Sequence, residues 1–148
     1  MKHAIAIGTT LTTMAFLAGG CGSSSHVASL PGLTQAKLVK VRADALATAK
    51  FNKDAHPSSV MVYASRRHEA NIAAGAGTGV PGSQPVYLVV LRGDFLASYP
   101  SAPGPIAPKR TSVITMILDR TTLRQLDYGF GSHVDTSQVG PGLALSLG

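Results

Sequence analysis

The run Val86-Tyr87-Leu88-Val89-Val90-Leu91 is apolar without interruption and ends at Arg92. A short, continuous apolar run rich in β-branched and aromatic side chains reads as a central strand of a sheet. A central strand needs neighbours on both edges, and the chain offers several. Val60-Met61-Val62-Tyr63-Ala64-Ser65-Arg66 has the same composition, and its pattern could continue through Ile72. After the central run, Gly93-Asp94 is a candidate β-bulge leading into Phe95-Leu96-Ala97-Ser98-Tyr99. Thr111 to Leu118 forms a further strand, and Asp119-Arg120-Thr121-Thr122 supplies turn residues. Leu123 to Phe130 then completes a hairpin with it. Leu88, Val90, Ile114 and Leu118 are expected in the core.

Ahead of these strands lies one helical stretch. Thr34 is a candidate N-cap, its hydroxyl accepting from a first-turn amide, and the helix is expected to run to about Phe51. Leu38, Val41, Ala45 and Ala49 fall on one face, with Lys37, Lys40 and Asp44 beside them. His56-Pro57 lies in the segment that ends it, because a residue before proline avoids the helical region. One helix followed by about four antiparallel strands is an α+β arrangement, with the helix packed across one face of the sheet. Residues 34–148 are expected to form this single small domain, and no structure is assigned to the glycine-containing tail after 130.

The first twenty residues are excluded from that domain. Met1-Lys2-His3 precedes an apolar and small-residue run from Ala4 to Ala18 that Thr9, Thr10, Thr12 and Thr13 interrupt. Such a segment is a secretory signal, and it is shorter than the roughly 20 residues of a spanning helix. The following Ala18-Gly19-Gly20-Cys21 resembles the lipobox of bacterial lipoproteins, with Leu17 one position further back than is usual. The resemblance implies that Cys21 carries lipid and that the mature chain is held at the cell membrane on its extracytoplasmic side. Cys21 is also the sole cysteine, so it has no partner within the chain for a disulfide. Residues 21–33 then read as the anchor and a Ser- and Gly-containing tether.

The formal charge is +6, and only Lys2 is lost with the signal, leaving +5. That balance favours anionic partners such as lipid headgroups or an envelope polymer. The basic helix residues Lys37, Lys40, Arg42 and Lys50 could face lipid or simply solvent. No nucleic-acid recognition motif accompanies the charge, and no nucleic acid is expected as a partner.

Chemical motifs are few. Gly77-Thr78-Gly79-Val80-Pro81-Gly82 matches G-x-G-x-x-G in form, yet a dinucleotide site needs that sequence between a strand and a helix. Pro81 and Pro85 speak against a helix there, so the segment from Gly75 to Gln84 is expected to be a mobile loop. His68-Glu69 lacks the second histidine of a zinc-protease helix. His133 and Asp135 would supply two metal ligands where a site needs three or four. Neither a metal nor a cofactor is therefore expected, and no catalytic residue stands out. Arg66-Arg67-His68 is the densest basic cluster outside the helix. If it continues the strand, Arg66 and His68 share one face and Arg67 takes the other. Arg92, if buried, would need a carboxylate such as Asp94 or Asp119.

The segments Tyr87-Leu88-Val89-Val90-Leu91-Arg92-Gly93 and Ile117-Leu118-Asp119-Arg120-Thr121-Thr122-Leu123-Arg124-Gln125-Leu126 resemble strand and hairpin of PepSY-like and cystatin-like extracytoplasmic domains. Thr121-Thr122 stands where the PepSY turn usually has glycine, and the cystatin inhibitory motif Gln-x-Val-x-Gly is missing, so the likeness implies layout alone. Two functions remain. One is a non-catalytic binding or interaction module of the envelope, recognising a protein, peptide or anionic polymer. The alternative is an envelope hydrolase whose active site has no recognisable motif. The lack of a paired-carboxylate, nucleophile or metal pattern favours the first.

Overall fold

The computed structural model describes residues 29–77, 82–97 and 107–147. The expected signal, Cys21 and most of the expected tether lie outside these residues, as do positions 78–81 of the glycine loop and Ser98 and Tyr99.

Helix α1 (Gln35–Phe51) begins where Thr34 predicts, the Thr34 hydroxyl accepting from the Lys37 amide at 3.3 Å. Its stripe of small and branched residues is what lets it lie close on the sheet. Val41, Ala45 and Ala49 are completely buried, and Leu38 packs at the margin. On the outer side Lys40 and Asp44, one turn apart, form an ion pair at 2.9 Å. An exposed pair of this kind contributes little.

Strand β1 (Ser59–Arg66) leads into a second helix, α2 (Arg67–Ala73), where the sequence pattern suggested continued strand. The switch has a local cause. The Glu69 carboxylate reaches back to accept from the Arg66 amide at 3.2 Å and from the Ser65 hydroxyl at 3.1 Å, tying the first turn to the strand end. Ala70 and Ala73, three apart, then bury against the sheet. Arg67 and His68 are accordingly helical, and the alternation expected for Arg66, Arg67 and His68 does not occur.

Strands β2 (Pro85–Ala97), β3 (Lys109–Asp119) and β4 (Gln125–Gly131) follow, then a 3-10 turn (Thr136–Gln138) and a short β5 (Gly142–Ala144). The sheet is antiparallel with order β4-β3-β2-β1-β5. This is an α+β fold with an N-terminal helix, as the sequence suggests, but with a fifth strand that the tail contributes. β5 pairs Met61, Val62 and Tyr63 with Ala144, Leu143 and Gly142. On the other edge, the Tyr128 amide of β4 is satisfied by the neighbouring Asp127 carboxylate at 2.8 Å. A charged side chain folded over an edge amide discourages pairing with another strand.

Both faces of the sheet are covered, so β2 is apolar at every position from Val86 to Leu91. On the α1 side Tyr87, Val89, Leu91, Ile114, Met116 and Leu118 pack together. On the other, Leu88, Val90, Val113 and Ile117 meet Ala70 and Ala73 of α2, with Val134 and Val139 from the tail. The four expected core residues are all buried. Arg92 continues the row of Leu88 and Val90 beyond the cover of α2 and is exposed. It therefore needs no buried carboxylate. Asp94 pairs with Arg110 instead, and Asp119 is taken up by its own turn and by Gln84.

Candidate functional site

The sheet has two ends of different chemistry. β2 reaches from one to the other, and α1 runs alongside it: Lys37 in its first turn donates to the Arg120 carbonyl at 2.7 Å, while at its far end the Asn52 carbonyl accepts from the Leu96 amide at 2.8 Å.

The end near Leu96 carries an open cleft of about 450 Å³. Three strands build it. Gly93, Asp94 and Ala97 come from β2, Lys109 to Ser112 from β3, and Phe130 to Ser132 from the end of β4 and just beyond. The volume is within the range of small-ligand sites. Its shape depends on the bulge that Gly93-Asp94 predicts: Arg92 faces Val113 and Phe95 faces Thr111, so Gly93 and Asp94 together oppose the single Ser112. Asp54, just after α1, fixes the bulge. One of its carboxylate oxygens accepts from the Asp94 amide at 3.0 Å and the other from the His56 amide at 2.9 Å.

The walls of the cleft combine an aromatic side chain with cations and hydroxyls. Phe130 meets Tyr128 edge to face at 4.9 Å between centroids, and Tyr128 in turn accepts from the buried Asn52 amide at 2.6 Å. Lys109 and Arg110 are exposed beside it. The Thr111 hydroxyl donates to the Gly131 carbonyl and the Ser112 hydroxyl to that of Ser132, which holds the β3 and β4 walls together. Arg110 forms an ion pair with Asp94, and both side chains remain largely exposed, at 75% and 71%. A pair so accessible to water opens at little cost, which leaves a guanidinium and an ammonium to receive an anion.

At the opposite end, Tyr87 is buried and its hydroxyl donates to the Pro31 carbonyl at 2.9 Å, fastening the incoming chain to β2. Burial pushes the Tyr87 phenol up from its usual range, with Arg120 pulling the other way, so it remains a donor at neutral pH. The Arg120 guanidinium lies 5.8 Å from the Tyr87 ring centre and donates to the Ser65 carbonyl at 3.1 Å. Beside it, the Asp119 carboxylate accepts from both the Thr121 and Thr122 amides, from the Thr122 hydroxyl and from the Gln84 amide. These donors, those of Thr122 first, hold its pKa at about 2. Its stabilising contribution is therefore present above the ordinary carboxylate value and is lost as pH falls through about 2. The Asp119 side-chain carbon resonance and the Thr122 amide are expected to titrate together near that pH. A midpoint near 4, the value of a free aspartate, would show that the turn bonds do not persist in solution.

The remaining sequence candidates fall apart as sites. The segment matching G-x-G-x-x-G runs from α2 towards β2, the reverse of the strand-to-helix order a dinucleotide needs. Both ends of the Gly75 to Gln84 loop are tied by backbone bonds: Ala76 to the Asn71 carbonyl, and Arg67 and His68 to the carbonyls of Gln84 and Gly82. The first two amides of α2 are thereby occupied. Asp135 caps the 3-10 turn by accepting from the Ser137 amide at 2.9 Å, and Ser137 holds its carboxyl below the usual range. Among the described residues no three His, Cys, Asp or Glu side chains converge as a metal site.

Comparison of the chain with protein-family models, with curated proteins and with solved structures finds no match. The class defined is an α+β domain, and the particular reading of its role rests on the chain's own residues.

Proposed function

We propose that the chain is a membrane-anchored extracytoplasmic lipoprotein, acylated at Cys21, whose domain serves as a non-catalytic binding module of the cell envelope. The cleft between the β2 bulge and the ends of β3 and β4 is its binding site, and an anionic envelope polymer is the class of ligand its walls suit. The observation that carries this reading is the composition of the cleft. An aromatic ring offers a surface for the apolar face of a polyol or sugar, while Lys109 and Arg110 meet negative charge and Thr111, Ser112 and Ser132 offer hydroxyls. Asp94, the one carboxylate among the lining residues, is engaged by Arg110, and the neighbouring Asp54 carboxylate is taken up by the Asp94 and His56 amides.

The test is a titration of the isotopically labelled protein with a glycerol phosphate oligomer joined by phosphodiesters. Saturable shifts are expected in the amides of Lys109 to Ser112 and of Gly131 and Ser132, weakening with salt as screening demands. Lys109→Glu combined with Arg110→Glu should abolish them without loss of stability, since both side chains are exposed. An unaffected spectrum, or shifts that survive the charge reversal, would contradict the assignment of the cleft.

A further inference from the structure

We infer that the end of the sheet opposite the cleft is a membrane-facing surface, which docks on the anionic headgroups of the bilayer that holds Cys21 and so presents the cleft outward. The inference rests on the anchor reading above for the identity of that bilayer, and its own support is independent of the cleft.

The first observation is unpaired charge. Lys37, Arg66, Arg67, Arg120 and Arg124 gather around the β1 end, the α1 start and the β3–β4 turn, where the carboxylates are Glu69, Asp119 and, two positions into β4, Asp127, which accepts from the Tyr128 amide. None of these acids forms an ion pair with these cations. Glu69 is held by the Ser65 hydroxyl and the Arg66 amide, and Asp119 by its turn and Gln84. The ion pairs found among the described residues, Lys40 with Asp44 and Arg110 with Asp94, lie elsewhere. The Nε atoms of Arg67 and Arg120 are enclosed and have no hydrogen-bond partner, while the exposed Arg66 and Arg124 project from the same end. Acids consumed by neutral donors leave this surface with a net positive field, the complement of an anionic leaflet.

The second observation is where the chain reaches the domain. Leu30 is buried in the core, and the Pro31 carbonyl is bonded to Tyr87 at this same end. The eight chain steps from Cys21 to Ser29 span at most ~3.6 Å each, so they keep this end within about 29 Å of the acylated residue. β2 continues from Tyr87 to Ala97, which carries the cleft roughly 30 Å further away at ~3.3 Å per residue. The attachment point and the unpaired cations thus coincide, and the cleft is at the other end.

The test reads arginine exposure residue by residue. The acylated chain is placed in lipid nanodiscs of phosphatidylcholine alone or mixed with phosphatidylglycerol, and phenylglyoxal modification of each arginine is followed by peptide mass spectrometry. Arg66 and Arg124 should react about fivefold more slowly on the anionic discs, recover at high salt, and be matched by unchanged rates at Arg92 and Arg110. Equal rates on both lipids, or protection at Arg92 and Arg110 instead, would overturn the inference. The acyl mass on Cys21 in the same sample tests the anchor separately. A companion sample links the chain from Cys21 onward to a maleimide lipid through that sole cysteine, so the surface is decided even if the cell leaves Cys21 unmodified. If only a soluble glycerol phosphate polymer, and not the lipid disc, protects Arg66 and Arg124, the surface serves a polymer and the membrane assignment is wrong.

Discussion

Leu88→Ala is expected to lower the stability of the domain by roughly 2 to 5 kcal/mol, the range for removing a large aliphatic side chain from a packed core. Leu88 is completely buried at the centre of the sheet, on the side where α2 and the tail close over β2. The layer above it is thin. It consists of the small side chains Ala70 and Ala73 and of Val134 and Val139 from a segment with little regular structure. Small, already close-packed side chains have little capacity to move into the space a leucine leaves, which favours the upper part of that range. Against about 5 to 15 kcal/mol for a typical domain, the loss is a large share of the total. A fall in the urea midpoint with an unchanged slope would report it. An unchanged midpoint would mean that this second layer does not form.

Gly93→Ala should be costly for a different reason. A methyl group at Gly93 would lie 2.1 Å from a carboxylate oxygen of Asp54 and 2.8 Å from the tip of the Phe95 ring. Phe95 is fully buried and cannot swing away, and the Asp54 oxygen is the one that accepts from the Asp94 amide. Either the bulge opens or that hydrogen bond breaks. Overpacking of this kind costs typically about 1 to 3 kcal/mol. Because Gly93 and Asp94 also line the cleft, the same change should weaken binding of a glycerol phosphate oligomer more than Ser83→Ala, an exposed substitution remote from the cleft. Full stability and full binding in Gly93→Ala would show that the bulge is looser than its contacts imply.

The bulge illustrates what the sequence makes legible. Gly93-Asp94 interrupts an apolar run, and the interruption alone marks the position. Its clamp does not show, because Asp54 is separated from it by the whole of β1 and α2. The same division holds elsewhere. Helix α1 is readable from Thr34 and from the spacing of Val41, Ala45 and Ala49, all local signals. Helix α2 is obscured because its stabilising contact is a carboxylate three residues into the helix returning to a strand-end amide, in a stretch that lacks an apolar stripe. Glu69 following Ser65 and Arg66 was the available clue. β5 has only three residues, one of them glycine, and exists because β1 offers an edge to it. No local pattern encodes such a pairing. The cleft is assembled from separate stretches of three strands, and only Phe130 and the Gly93-Asp94 bulge attract notice in sequence. The basic cluster at Arg66 and Arg67 was visible, but its lack of acidic partners depends on how Glu69 and Asp119 spend their hydrogen bonds.

Acylation of Cys21 is the claim on which the proposed location depends, and two or more acyl chains are what give stable membrane anchoring. The most direct measurement is metabolic labelling of the expressed protein with a radioactive fatty acid, comparing the natural chain with Cys21→Ser. Since Cys21 is the sole cysteine, no other thiol can carry a thioether-linked lipid. Label on the natural chain and none on Cys21→Ser is the expected result; equal label on the two, or none on either, would contradict it.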